Sequence, residues 1–233
     1  MTPSALPPPA SCPLVFVRHG ATEPNLAGLR CGGDLDAPLT EVGRREAVRA
    51  AQRIRAQGLR IGVIVASDLQ RTRETAAIIA REFEGIEIVI EPGFAERRLG
   101  AWNLLPIVDT EPWLVRGLVP PGGESDEAFS SRIAAAVHTL LPRGAQRPLL
   151  VGSKGVARVL GKLLSAPERA GFANGEVAQF ELAGFAAADA AADAAAVAAA
   201  PAAAADPAAA AAAAADIPAR AHAAAPAHDR CAA

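Results

Sequence analysis

Residues 14–25 read Leu14-Val15-Phe16-Val17-Arg18-His19-Gly20-Ala21-Thr22-Glu23-Pro24-Asn25. Four consecutive apolar residues suit a buried strand, and they deliver an Arg-His-Gly tripeptide into a polar loop. Gly20 lets the chain turn sharply and lets a ligand approach the backbone. Arg18 offers a planar fork of donors matched to phosphate oxygens. His19 is a side chain that can be neutral and nucleophilic near pH 7. Thr22 and Asn25 add uncharged donors nearby. The tripeptide alone fits a surface turn with a solvated histidine equally well, so its meaning depends on the rest of the chain.

Outward from this loop, Arg30 to Ala47 is turn-rich and runs into a helix start, with Thr40 as N-cap. A second apolar run, Ile61 to Ala66, leads into Ser67-Asp68-Leu69-Gln70-Arg71-Thr72-Arg73-Glu74-Thr75-Ala76. Glu96 stands in Phe94-Ala95-Glu96-Arg97-Arg98-Leu99-Gly100-Ala101-Trp102, and Pro121-Gly122-Gly123-Glu124-Ser125 precedes a third helical stretch. On residue type alone, Arg71 suits a solvated helix face, and Glu96 suits a charged patch with Arg97 and Arg98. Apolar runs at 14–17, 61–66, 86–90 and 148–152 alternate with helical patterns at 40–57, 69–83, 125–141 and 155–164, before a last strand at 176–182. That alternation predicts an α/β three-layer sandwich, a largely parallel central sheet with helices on both faces. Ligands bind such sheets at the carboxyl ends of strands, and both His19 and the Ser153-Lys154 loop follow strands.

With these blocks in this order, residues 14–182 resemble the histidine phosphatase superfamily, the phosphoglycerate-mutase-like proteins. The resemblance implies double displacement on a phosphomonoester without metal or other cofactor. By motif match, His19 attacks phosphorus and carries a phosphohistidine, while Arg18 and Arg71 hold the phosphoryl oxygens. Glu96 protonates the leaving oxygen and then activates water. Thr22 and Asn25 are secondary phosphate contacts. The physical logic is independent of the analogy: a phosphoryl group in flight spreads charge over its equatorial oxygens, which guanidinium forks stabilise. A covalent step divides one difficult displacement into two easier ones.

One position departs from the family pattern. Members of the family usually follow the fourth apolar run with a second histidine, as in Ser-His-Gly-Gly. Here the chain reads Leu149-Leu150-Val151-Gly152-Ser153-Lys154-Gly155, which puts Ser153 at the histidine position. Of the 23 lysines and arginines only Lys154 and Lys162 are lysine, so a lysine at this loop does not follow from general composition. Two readings are open. Either Ser153 donates a hydrogen bond and Lys154 supplies the charge of the missing imidazolium, or the domain binds a phosphorylated ligand or partner without turnover. Survival of His19, Arg18, Arg71 and Glu96 favours an active phosphatase. The segment between Glu96 and Ser153 is short and has few cations to hold a substrate carboxylate, which favours hydrolysis over a mutase reaction. Trp102 and Trp113 either line the entrance or pack the cap.

The 233 residues predict three regions: a flexible proline-rich 1–12, a phosphatase-like domain at 13–185, and an alanine-rich, low-complexity tail at 186–233 expected to be disordered. Pro201, Pro207, Pro218 and Pro226 interrupt helix in the tail, and its aspartates break every stretch short of a membrane span. A net charge of −2 gives no sign of nucleic-acid or anionic-membrane partners. The N-terminus has no basic region followed by an apolar core, against a secretory signal. Cys12, Cys31 and Cys231 have no disulfide-framework spacing, which suits a reducing cytoplasm. The expected partner is a small phosphorylated substrate; oligomeric state is left open.

Overall fold

The computed structural model describes residues 13–164, 166, 171–182 and 185, so the expectations for 1–12 and 186–233 lie outside the described residues. Its sheet contains β1 (Pro13–Arg18), β2 (Val63–Ala66), β3 (Glu87–Ile90), β4 (Pro148–Gly152) and β5 (Val177–Glu181), in the order β3-β2-β4-β1-β5. All neighbours are parallel except β5, which runs antiparallel to β1. The helices are α1 (Glu23–Leu26), α2 (Glu41–Ala56), α3 (Gln70–Ala80), α4 (Ile107–Val115), α5 (Asp126–His138) and α6 (Lys154–Leu163). None is long and apolar enough to cross a membrane.

The central strands are apolar throughout because both faces are covered. Leu14 and Phe16 of β1 join Val65, Leu150, Phe129, Ile133, Val156 and Leu160 in one core, which brings in α5 and α6. The alternate residues Val15 and Val17 join Ile64, Leu149, Val151, Ala51, Ile54 and Ile79 in the other, with α2 and α3. Side chains alternate across a strand, so one run of four apolar residues builds both cores. Helix starts follow local chemistry: Thr40 Oγ1 accepts from Gly43 N at 3.0 Å and Ser125 Oγ accepts from Ala128 N at 3.0 Å. Each such cap stabilises by about 1 kcal/mol.

The sequence does not announce α4. Its interior Pro112 argues against a helix, yet Thr110 at its centre is buried and accepts from Arg30 Nε at 2.7 Å. Tertiary contact overrides the local preference. Trp102 is buried and packs on Trp113 with ring centroids 5.1 Å apart, so this pair packs the cap rather than lining the entrance.

The chain leaves β1 toward α2 on one face and leaves β4 through α6 on the other. Adjacent strands whose connections diverge open a crevice at their carboxyl ends. His19 and Ser153 stand at that crevice.

Candidate active site

His19 follows the last residue of β1, where the parallel register pairs Arg18 with Gly152, and its backbone N–H donates to Gly152 O at 2.9 Å. The imidazole is 3% exposed and its Nδ1 lies 2.8 Å from Gly20 O. A carbonyl oxygen can only accept, so Nδ1 carries the proton and Nε2 keeps its lone pair. Burial, reinforced by the Arg71 and Arg18 guanidiniums, holds the imidazole well below its ordinary value of 6.5. This tautomer is a neutral nucleophile.

A Cβ at Gly20 would lie 2.1 Å from Gly43 O, so glycine permits the loop to pack against the first turn of α2. Gly43 returns the contact, since its Cβ would meet Ala21 O at 2.2 Å.

Two guanidiniums flank His19. Arg71, in the first turn of α3, is fully buried and donates to Leu35 O at 2.8 Å and Gly32 O at 3.1 Å, while its Nε has no partner. Arg18 donates through Nη1 to Phe172 O, and its buried Nε is also unpartnered. Burial lowers the Arg18 pKa against the pull of Glu96 and Glu46. Buried cations bonded to carbonyls carry a desolvation cost of several kcal/mol that an anion would offset. The pair is therefore chemically suited to negative charge, with two unpartnered Nε donors.

Glu96 is near enough to Arg18 to pull the arginine's pKa upward. Its Oε1 accepts from Arg97 N at 2.8 Å and its Oε2 accepts from Gly155 N, in the first turn of α6, at 2.9 Å. A Cβ at Gly155 would fall 2.1 Å from Glu96 Oε1, so this glycine makes room for the carboxylate. Arg132, which sequence reasoning missed, fastens the segment that carries Glu96. It donates to Gly93 O and Ala95 O at 2.9 Å each and to Glu96 O at 3.3 Å, and it pairs with buried Glu124 at 2.7 Å and 3.0 Å. A helix arginine in an arginine-rich chain carries no signal that would single it out.

Ser153 is the N-cap residue of α6 and is buried, but its Oγ has no hydrogen-bond partner. Lys154 is exposed. A cavity of about 430 Å³ opens here, lined by Arg18, Asn25, Glu96 and Lys154 among others, with His19, Arg71, Thr22 and Ser153 buried outside its immediate wall. Asn25 Oδ1 accepts from Thr22 N and from Asn174 Nδ2, both at 3.3 Å, so it is committed to holding the loop. Cys31 also lines the cavity, and burial pushes its thiol pKa up. The only other histidine among the described residues, His138, ends α5 and packs on Phe185 at 5.1 Å. Among the described residues no three His, Cys, Asp or Glu side chains are grouped to hold a metal ion.

The sheet is mostly parallel, with a buried histidine, a buried Arg71 and a half-buried Arg18 at its carboxyl edge, and the chain belongs to the histidine phosphatase superfamily (branch 1), whose model matches residues 14–194. It is similar to the Yersinia enterocolitica protein named "Probable phosphoglycerate mutase GpmB", 41% identical over 162 residues that cover 64% of this chain and 72% of that one. Among solved structures it resembles a mycobacterial glucosyl-3-phosphoglycerate phosphatase in complex with VO3 (TM-score 0.60, 30% identity, 72% of this chain and 91% of that one). It also resembles "Mycobacterial hydrolase 1" (TM-score 0.64, 26% identity, 73% and 92%).

Proposed function

We propose that this chain is a phosphomonoester hydrolase working through a phosphohistidine on His19. The observation that carries the reading is the His19 tautomer: Nδ1 donates to Gly20 O, and Nε2 is left unprotonated beside two guanidiniums with unsatisfied donors. Nε2 attacks phosphorus, the bond to the ester oxygen breaks, and Glu96 protonates the departing oxygen. Water then attacks the phosphohistidine, Glu96 takes its proton, and the P–N bond returns its pair to Nε2. Arg18 and Arg71 hold the charge on the equatorial oxygens, with the buried, unpartnered Thr22 hydroxyl as a further donor and Asn25 holding the loop. Ser153 and Lys154 form the altered wall, the hydroxyl donating and the ammonium adding a point charge. The scheme uses no metal and no other cofactor. The unframed cysteines suit a reducing compartment, and we assign the chain to the cytoplasm.

The similarity to a protein named as a mutase favours a second reading, transfer of the phosphoryl group back to substrate. The scarcity of cations in the short cap is weaker evidence against it than the sequence suggested, because Arg30, Arg158 and Lys162 reach the cavity from outside that segment. Hydrolysis remains the better-supported outcome. Exposed Lys154 and Arg158 on the cavity wall mean that water has access, and a mutase must exclude it. Brief mixing with an aryl phosphate, quenched without acid, should leave phosphate on His19 and release inorganic phosphate, and His19→Ala should do neither. Binding without either product would instead identify a phosphate receptor.

A further inference from the structure

A cavity of about 430 Å³ suits a whole small-molecule ligand rather than a phosphoryl group alone. Its wall is basic although the chain has a net charge of −2: Arg18, Arg30, Arg97, Lys154, Arg158 and Lys162 line it against the carboxylates Glu96 and Glu111. The cations are not equally neutralised. Glu111 lies 2.6 Å from Arg30, and Asp126 reaches both Arg97 at 3.3 Å and Arg158 at 3.0 Å. Lys154 and Lys162 have no carboxylate partner among the described residues, are both exposed, and are the two lysines of the chain.

Lys154, Arg158 and Lys162 are spaced four residues apart on α6, which places them on one helix face. At 1.5 Å per residue the two lysines are separated by about 12 Å along the axis. Lys154 marks the end beside Glu96, where the phosphoryl group reacts in the function proposed above. Elsewhere the wall is apolar, formed by Leu29, Ile107, Leu114 and Phe172.

We infer that Arg158 and Lys162 form a second anion subsite, and that the substrate is an elongated phosphomonoester with a second anionic group about 12 Å from the phosphorus. An apolar or uncharged spacer between the two charges lies against Leu29, Ile107 and Leu114. A three-carbon acid phosphate, whose charges are separated by only a few bonds, is too short to engage both lysines. The inference names the substrate class of the proposed phosphatase and rests on that reading for the position of the reacting end.

Calorimetry with non-hydrolysable ω-carboxyalkylphosphonates of increasing spacer length, beside alkylphosphonates ending in methyl, tests it. The carboxylate should add nothing at short spacers and strengthen binding about tenfold once the spacer spans the helix face. Lys162→Ala should abolish that gain, Lys162→Arg should keep it, and added salt should shrink it. Equal affinity of the two series at every length, or a gain that survives Lys162→Ala, overturns the subsite. These ligands bind without turnover, so failure here is distinct from failure of the phosphatase reading, which would appear as no phosphohistidine and no phosphate release.

Discussion

The loops leaving β1 and β4 lie side by side, joined by the His19 N–H bond to Gly152 O, yet they are built on different plans. After β1 the backbone groups are tied down, although the buried Arg18 Nε and Thr22 Oγ1 have no partner. His19 O accepts from Asn174 Nδ2 at 2.9 Å, Gly20 N donates to Thr75 Oγ1 at 3.2 Å, Ala21 N donates to Glu46 Oε2 at 2.8 Å, and Ala21 O accepts from Thr40. After β4 the Ser153 hydroxyl is unpartnered and Lys154 is exposed on the cavity wall, while Ser153 O accepts from Ala157 N and Gly155 N donates to Glu96. The His19 loop is held through its backbone by the side chains of Asn174, Thr75, Glu46 and Thr40. The facing wall presents an unpartnered hydroxyl and an exposed ammonium.

Substitutions at five positions and one titration would break or sharpen that contrast. His19→Ala should lower turnover of an aryl phosphate by at least about a thousandfold and abolish labelling, measured in the same rapid-mixing assay. The two glycines should then separate stability from activity. Gly20→Ala drives a Cβ against the Gly43 backbone and should cost about 1–3 kcal/mol in denaturant unfolding. Gly155→Ala meets the end of the Glu96 side chain, which can swing away, so turnover should fall about a hundredfold with little change in the unfolding midpoint. Equal stability losses in the two variants would erase the distinction between the loops.

Lys154→Ala should weaken competitive inhibition by inorganic phosphate about tenfold, with Lys154→Arg restoring most of it; unchanged inhibition would remove this lysine from the pocket. The pH response follows from the lowered His19 pKa. Below 6.5 the unfolded histidine takes up a proton that the folded one refuses, so this contribution to stability is complete above 6.5 and is lost as the pH falls. Unfolding measured across that range should show a shallower acid loss in His19→Gln than in the parent. Ser153→Ala should not lower the stability of the free protein, because the buried hydroxyl it removes has no partner to lose; a measurable loss in denaturant unfolding would show that the hydroxyl is engaged.

Much of the scaffold was legible because it follows local periodicity. Four apolar residues at 14–17, the run before Ser67 and the run ending at Gly152 each became a central strand, and Thr40 and Ser125 cap the helices they precede. Strand β2 begins at Val63, two residues later than its apolar run, and α5 ends at His138 rather than near 141. Three features had no local signal. Pro112 concealed α4, the Gly20–Gly43 contact joins segments remote in sequence, and Arg132 is distinguished only by the five oxygens it reaches after folding.

The candidate site divides in the same way. His19, Arg18, Arg71 and Glu96 are singled out by the resemblance of their blocks to the family, since residue type alone fits a surface turn, a solvated helix face and a charged patch. Their meeting is not legible there, because it depends on β4 inserting beside β1 and on α6 starting beneath Glu96. Residue types and their spacing by themselves determined the layers of the fold and the kind of chemistry available. Only the tertiary structure decided which histidine nitrogen is free, why Gly20 must be glycine, and that both lysines border one cavity. Tautomer, close approach and shared walls arise from contacts between distant segments, and no local pattern encodes them.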